Sequence, residues 1–442
     1  MSFKKVIKSV VPRWLVSIYH WKLAALANII YRFPSRGMRV IGITGTNGKT
    51  TTCFLLRSIL AASGRKVGML TTVSFGFDGK QVQNQLNMTT ISPFLMQKYL
   101  RQMRRAGCTD VVIETTSHAV SQHRIWGLHF DALALTNISH DHLDYHGTME
   151  QYKAVKLKLF SLPHRLSVVN RDDEAFDEFW REPAGQKRSF GLASRDADVT
   201  AKKILTEGVG TLFTLVAAEG QIAVDLRLPG EFNVANALCA SALALGLGAD
   251  LANIKKGLET VEQVPGRMES VTLDDAKGKL PFTVIVDYAH TPDALEKVYK
   301  ALKPSVRGRL ISVLGATGDR DKTKRPLLGA LAGRFADIVM VTDEEPYTED
   351  PAQIIEAVAA GVPRGAGKGR DMKLGHNFFK VPQRVDAIEK AITMAERGDV
   401  VLITGMGDQS YKVVGTRHIP WSDREVVQAA LRRINSKSMS EH

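Results

Sequence analysis

The sequence predicts an α/β protein: a central P-loop-type parallel sheet with a small antiparallel addition, followed by a Rossmann-like α/β domain. Three observations carry this. Short apolar runs alternate with helix-length stretches from residue 38 onward. The glycine-rich segment "GITGTNGKTT" (42–51) falls between such a run and such a stretch. The alternation breaks over 197–228 and at "VEQVPGRMES", then restarts.

In chain order, "MRVIGIT" reads as a buried strand and "KTTTCFLLRSILAAS" as the helix after it. "KVGML" is a strand, "SPFLMQKYLRQMRRAG" a helix opened by Ser92-Pro93, and "DVVIET" a strand. "FDALALT" is a further strand and "TMEQYKAVKLKLF" a helix. Apolar strands alternating with helices imply a parallel sheet covered on both faces. "DVTAKKILTE", "GTLFTLVAA" and "QIAVDLRL" have glycine turns between them and read as antiparallel strands. "EFNVANALCASALALGLG" then reads as a long helix. After Pro265-Gly266 the order is "FTVIVD" strand, "DALEKVYKAL" helix, "RLISVLG" strand, "KRPLLGALAGRF" helix and "ADIVMVT" strand. "AQIIEAVAAG" and "RVDAIEKAITMAERG" are helices before a last strand, "DVVLIT". The division expected is a short segment 1–37, a central domain 38–263 and a last domain 264–442.

The 442 residues are 44% hydrophobic and 24% charged, which are globular proportions sufficient for two or three domains. Cys53, Cys108 and Cys239 are widely spaced, so neither a disulfide framework nor a zinc site is indicated and a reducing cytoplasm fits. A net charge of +13 points to polyanions or phosphorylated small molecules, or simply to a solvated basic surface. Residues 3–33 are basic and apolar, but His20 and Lys22 interrupt the run, leaving no stretch able to span a bilayer. A helix packed on the next domain is expected there; an interfacial helix with Trp14 and Trp21 near the headgroups is the alternative.

Three segments carry chemistry. Gly45-Thr46-Asn47-Gly48-Lys49-Thr50, between strand and helix, offers backbone N–H groups at a helix N-terminus, a ready phosphate site. Its glycine spacing departs from G-x-x-x-x-G-K-[ST], since Ile43 stands where the first glycine belongs. Lys49 would neutralise β/γ-phosphate charge and Thr50 would ligate Mg²⁺. In "VVIETTSHAVSQHR", Glu114 ends a strand, where ligands of α/β sheets collect. In "TNISHDHLDYHGT", His140, Asp141, His142, Asp144 and His146 crowd after another strand; their spacing favours Mg²⁺ over zinc, and capping bonds account for some of them.

Together these stretches resemble the Mur ligase family, ATP-dependent amide-forming enzymes of peptidoglycan-precursor synthesis. The likeness is strongest to the branch that adds the third residue to UDP-N-acetylmuramoyl-L-Ala-D-Glu. "TGTNGKTTT" resembles the family's own phosphate loop, which explains the glycine spacing. "ETTSHAVSQHR", "TNISHDHLDYHGTMEQYKAVKLKLF", "LPGEFNVANALCA", "VPGRMES", "VDYAHTPDAL" and "GATGDRDKTKRP" extend it over about residues 38–425. The resemblance implies ATP and two Mg²⁺ ions. Gly45, Thr46, Asn47, Gly48, Lys49, Thr50 and Thr51 would surround ATP, with Asn233, Asn236, Asp287, His290 and Arg320. Thr50, Glu114, His142 and Lys156 would serve the metals, Lys156 as a carbamate. Thr89, Thr90, Ser117, Gln122 and Arg124 would contact the muramoyl dipeptide. A monomer working on small molecules, without nucleic acid, is implied.

Two departures matter. The family's separate first domain, which holds the UDP end, is missing or replaced by residues 1–37, so a UDP-linked or a lipid-linked acceptor is open, with peripheral contact at the inner membrane face. Where relatives adding meso-diaminopimelate show D-N-P-R, this chain reads "TDEEPYTEDP", and G-K-G-H-E reads "GMGDQ". Asp343, Glu344, Glu345, Asp408 and Gln409 suit an amine-bearing side chain, lysine over meso-diaminopimelate, unless Glu344 and Glu345 are a solvated loop. The rivals are a folylpolyglutamate synthase-like ligase, a basic nucleic-acid-binding NTPase and a non-catalytic ATP-binding scaffold.

Overall fold

A computed structural model describes residues 12–77, 80–84, 86, 89–207, 210–273, 280–363 and 371–440. The strand β1 (Arg39–Thr44) lies inside an eleven-stranded sheet with β2 (Val67–Leu70), β3 (Ser74–Phe77), β4 (Lys80–Gln83), β5 (Asp110–Glu114) and β6 (Phe130–Leu135). The sheet is completed by β7 (Leu166–Asn170), β8 (Gln186–Gly191), β9 (Val199–Glu207), β10 (Gly210–Ala217) and β11 (Gly220–Leu226). Its order is β11-β10-β9-β8-β7-β6-β1-β5-β2-β3-β4.

The strands from β9 through β2 run parallel, and antiparallel hairpins extend both edges. The antiparallel addition at 199–226 is therefore part of the main sheet. The β3–β4 hairpin, β7 and β8 are elements the hydrophobic alternation did not reveal. Because β1 lies between β5 and β6, the chain leaves β1 at the point where the sheet order reverses, and loops there open a crevice at the strands' carboxyl ends.

Helix Lys49–Ala62 follows β1 and packs with helices Glu231–Gly246 and Leu251–Thr260 on one face. Helix Glu231–Gly246 is apolar nearly all round, and Val234 and residues Ala237 to Ala240 and Ala242 to Leu245 are buried in that core. On the opposite face, Met96, Leu100 and Met103 of helix Pro93–Arg105 pack with Leu159 and Phe160 of helix Met149–Phe160.

The second sheet has β12 (Glu269–Ser270), β13 (Thr283–Asp287), β14 (Leu310–Leu314), β15 (Ile338–Thr342), β16 (Phe378–Val381) and β17 (Val400–Thr404), in the order β12-β13-β17-β14-β15-β16. From β13 to β16 it is parallel, as the restarted alternation predicts. Helix Pro292–Leu302 begins as its sequence dictates: Thr291 Oγ1 accepts the Ala294 N–H and proline fills the first turn.

The N-terminal helix spans Arg13–Tyr31. Ala24 and Ala27 are buried, Asn28 donates to the Trp126 carbonyl at 2.8 Å, and Trp21 meets Trp126 edge to face. Its inner face thus packs on the first sheet's domain, while Trp14, Ile29 and Ile30 stay exposed. No helix among the described residues is long and apolar enough to cross a membrane.

Candidate active site

The loop after β1 needs both its glycines. Gly45 has φ 146°, and a Cβ there would fall 1.9 Å from Thr136 Oγ1. Gly48 has φ 82°, and a Cβ there would fall 2.1 Å from Asn236 Oδ1. Close approach and positive φ together make any side chain at either position strained. The residues behind β6 clamp the loop. The Thr46 N–H donates to the Asn137 carbonyl at 2.8 Å, and the Asn47 N–H to Asn137 Oδ1 at 2.9 Å. Thr136 Oγ1 donates to the Asn47 carbonyl at 2.6 Å. Thr136 and Asn137 were absent from the sequence-based site; the signal available was their place at the end of β6, beside the loop.

Gly48 precedes helix Lys49–Ala62, so the first-turn N–H groups of Lys49, Thr50 and Thr51 face the crevice. Lys49 Nζ curls back to the carbonyls of Thr46 (2.7 Å) and Gly45 (3.1 Å), and burial lowers its pKa. Glu114, at the end of β5, gathers three donors on Oε2: Thr50 Oγ1 at 2.9 Å, the Thr72 N–H at 2.9 Å and Thr72 Oγ1 at 3.0 Å. Lys156 is fully buried beneath the loop, with Nζ 2.7 Å from the Gly45 carbonyl and 3.3 Å from Thr44 Oγ1. Burial, then the Lys49 charge, pushes its pKa well down. Lys49, Thr50, Glu114 and Lys156 therefore surround one loop.

His142 sits at the rim with φ 54°, its Nε2 3.4 Å from Asp141 Oδ2 and its ring 4.8 Å from His118. His146 is turned inward, where its Nε2 bonds Ser117 Oγ at 2.9 Å. The Asp144 side chain lies outside the described residues. His118 is pushed down to about 3 and His290 to about 4, both chiefly by burial, so both rings are neutral at pH 7. Among the described residues no three His, Cys, Asp or Glu side chains converge as a ready cage. Thr50 and Glu114 instead offer hard oxygens beside the phosphate loop, which suits a cation such as Mg²⁺ that keeps water and phosphate oxygens as ligands.

The residues expected around the acceptor also cluster. Arg124 donates to the Thr90 carbonyl at 2.5 Å and to Gln122 Oε1 at 3.1 Å and 2.5 Å. Thr90 Oγ1 donates to the Glu114 backbone carbonyl at 3.1 Å, tying this group to the end of β5. Thr89 lies beside it, partly buried. Asn236 donates to Asn233, and both are buried behind Gly48.

The second sheet closes the site. Asn47 Nδ2 donates to Asp293 Oδ2 at 2.8 Å across the two halves. A cleft of about 190 Å³ is lined by His118, His142, His290, Arg320, Glu345 and Gln409, among others. Asp287 is committed to the backbone, accepting the Met268 and Ala289 N–H groups at 2.7 and 2.6 Å, and so acts on the cleft through the turn it holds.

The acidic run divides. Asp343 pairs with Lys412 at 2.9 Å and accepts the Arg384 N–H, and Asp408 pairs with Arg267 at 3.0 Å; neither of these carboxylates is free for a ligand. Glu344 and Glu345 are buried, which excludes the solvated loop. Glu344 Oε1 accepts Thr317 Oγ1 while Oε2 has no hydrogen-bond partner among the described residues, and burial raises its pKa. Burial and the Glu344 charge push Glu345 up to about 7.

The Mur ligase middle domain matches residues 43–244, and the Mur ligase glutamate ligase domain matches residues 266–407. A UDP-N-acetylmuramyl-tripeptide synthetase of Roseiflexus sp. (strain RS-1) is 39% identical over 424 residues, 92% of this chain and 81% of that protein. A UDP-N-acetylmuramoyl-L-alanyl-D-glutamate–2,6-diaminopimelate ligase of Geobacillus thermodenitrificans (strain NG80-2) is 38% identical over 418 residues, 93% of this chain and 82% of that protein. A solved structure of a ligase of the latter kind superposes with a TM-score of 0.62 at 31% identity, covering 90% of this chain and 79% of that one. Folylpolyglutamate synthase of Mycobacterium tuberculosis, at 19% identity, shares the fold with a TM-score of 0.70 over 94% of this chain and 95% of that one. With both halves matched in order, this chain belongs to the Mur ligase family, the ATP-dependent acid–amino-acid ligases.

Proposed function

We propose that the protein activates the D-Glu carboxylate of UDP-N-acetylmuramoyl-L-Ala-D-Glu with ATP and joins it to a diamino acid, lysine in preference to meso-diaminopimelate. The observation carrying this reading is the meeting of Lys49, Thr50, Glu114 and Lys156 around one loop, opposite buried carboxyl groups of the second sheet. On this reading residues 38–263 hold ATP and acceptor, residues 264–442 bring the amine, and the reaction belongs to the cytoplasm.

A carboxylate resists amines because its leaving group would be oxide. The first-turn N–H groups and Lys49 hold the triphosphate so that an acceptor oxygen attacks the γ-phosphorus and ADP departs. Arg124, fixed by Thr90 and Gln122, orients the acceptor. The amine nitrogen then attacks the acyl carbon, and phosphate leaves with the C–O electron pair. Thr50 and Glu114 would hold one Mg²⁺, and His142 with Lys156 a second. The ions would offset repulsion between the γ-phosphate and the attacking carboxylate. An ammonium has no lone pair for a metal, so Lys156 fits this role only as a carbamate. Its lowered pKa supports that, because the neutral amine is the form that adds CO₂. Glu345, with Tyr347 and Gln409 beside it in the cleft, would receive the side-chain ammonium of the incoming residue.

The test is ADP release with the muramoyl dipeptide and, separately, lysine, ornithine and meso-diaminopimelate. Release should need both acceptor and amino acid and be fastest with lysine. Equal release without acceptor would refute the ligase reading, and faster turnover with meso-diaminopimelate would refute the lysine preference alone.

A further inference from the structure

The basic character of the chain is concentrated at its start. Residues 1–109 contain 17 lysines and arginines and a single acid, Asp78, a balance of +16 that exceeds the +13 of the whole molecule. The N-terminal helix Arg13–Tyr31 lies in this region. One face is accounted for: Ala24, Ala27 and Asn28 are buried, and Ser17 Oγ bonds His123 Nε2 at 2.8 Å.

The other face is not covered by the described residues. Leu15, Ile18, Tyr19, Leu26, Ile29 and Ile30 are all exposed, Ile29 at 63%, and recur at spacings of three, four and seven that make one stripe along the helix. Exposed Lys22 stands within the stripe, where its long stem can lie along apolar surface while the ammonium reaches outward. Trp14 and Trp21 border it. The neighbouring helix Pro93–Arg105, which packs against this one, exposes Lys98, Arg104 and Arg105 and contains no acid.

We infer that this face is a docking surface for an anionic lipid bilayer. The helix would lie in the interfacial plane, its apolar stripe among the upper acyl chains and its cations at the headgroups. An apolar stripe bordered by tryptophans is what an interface accepts; a nucleic acid would match the charge but leave the stripe in water. No described helix, this one included, is long and apolar enough to cross a membrane. The inference is independent of the ligase reading, because vesicle binding is measured without turnover.

The experiment is co-sedimentation of the full chain with vesicles of phosphatidylcholine alone or mixed with phosphatidylglycerol. Binding is expected with the anionic vesicles and should weaken in high salt. Ile18→Glu and Leu26→Glu should each lower affinity about tenfold or more, and Lys22→Glu about fivefold or more. These side chains are exposed, so circular dichroism and melting temperature should be unchanged. Absence of binding to anionic vesicles, equal binding to phosphatidylcholine alone, or binding unaffected by Leu26→Glu would overturn the proposal. So would a dimer that Leu26→Glu dissociates, or retention on nucleic acid, when vesicle binding is missing.

Discussion

Replacing Gly48 by alanine separates two physical costs that the structure lets us compare. Gly48 and Gly64 flank the same helix with similar dihedrals, φ 82° and 76°. Among the described residues a Cβ on Gly64 would meet nothing within 4 Å, whereas one on Gly48 would lie 2.1 Å from Asn236 Oδ1. Gly64→Ala should therefore show only the left-handed backbone term, about 1–2 kcal/mol. Gly48→Ala adds the overlap. Asn236 must retreat by more than an ångström from a buried position where it donates to Asn233. Overpacking of this kind costs about 1–3 kcal/mol, and losing that hydrogen bond about 1 kcal/mol more. The expected total is about 3–6 kcal/mol in urea unfolding. Because the strain falls on the phosphate loop, kcat/KM for ATP should drop about 10²-fold, the scale of a 1 Å misplacement. Gly64→Ala should leave kinetics unchanged. Equal losses of stability and activity in the two variants would show that Asn236 does not press on the loop and would refute this account of the site.

Lys156→Ala should lower kcat by about 10²–10³, the scale of losing one charge-stabilising group, with partial recovery in acetate or formate, which return an anion to the space. A loss of activity without any recovery would leave Lys156 a support for the Gly45 carbonyl and nothing more. Glu345, pushed up to about 7, is neutral below that pH, so KM for lysine should rise as pH falls through 7, by up to about tenfold per unit, and Glu345→Gln should flatten the profile. The raised folded-state value also means the stability Glu345 contributes is present in acid and lost as pH rises through 7, so Glu345→Gln should melt higher than wild type above pH 7. Arg384 and Asp423 form a fully buried ion pair at 2.7 Å, and Asp423→Ala should cost about 3–5 kcal/mol by stranding the guanidinium, measured by denaturant midpoint.

How much of this was legible in the sequence depended on how local each determinant is. The two sheets' central strands and the helices after them read directly, because burial on both faces demands unbroken apolar runs. The phosphate loop read well because glycine spacing reports dihedrals. The β3–β4 hairpin did not: "SFGF" and "KQVQ" are short and carry no strong pattern. Asn137 was invisible as a loop clamp because its partners lie about ninety positions away in the chain, with separations of 90 to Asn47. The "DEE" run looked like one acidic pocket, yet Asp343 is held by Lys412, 69 residues on, Glu344 accepts from Thr317, and of the three only Glu345 lines the cleft. Long-range ion pairs consume carboxylates in a way no local spacing records.

The electrostatics of the loop favour one division of labour between its two lysines. Both ammonium groups point at the same oxygen, the Gly45 carbonyl, so two positive charges are confined around one acceptor in a buried space. The pair is most easily relieved if one lysine releases its proton. Lys156 is the better candidate, since it is fully buried, its pKa is pushed well down and the Lys49 charge acts against its own, whereas Lys49 keeps partial exposure. A triphosphate at the first-turn N–H groups would keep Lys49 charged, because an adjacent anion favours the protonated form. Lys156 would then be left as the neutral amine, able to bond CO₂ and turn a destabilising cation into a carbamate whose oxygens could share a divalent cation with the nucleotide. On this argument carbamate formation and nucleotide binding should reinforce each other. ¹³C-labelled CO₂ should therefore give a stronger carbamate signal with a non-hydrolysable ATP analogue than without it, and a signal that weakens on adding the nucleotide would reverse the assignment.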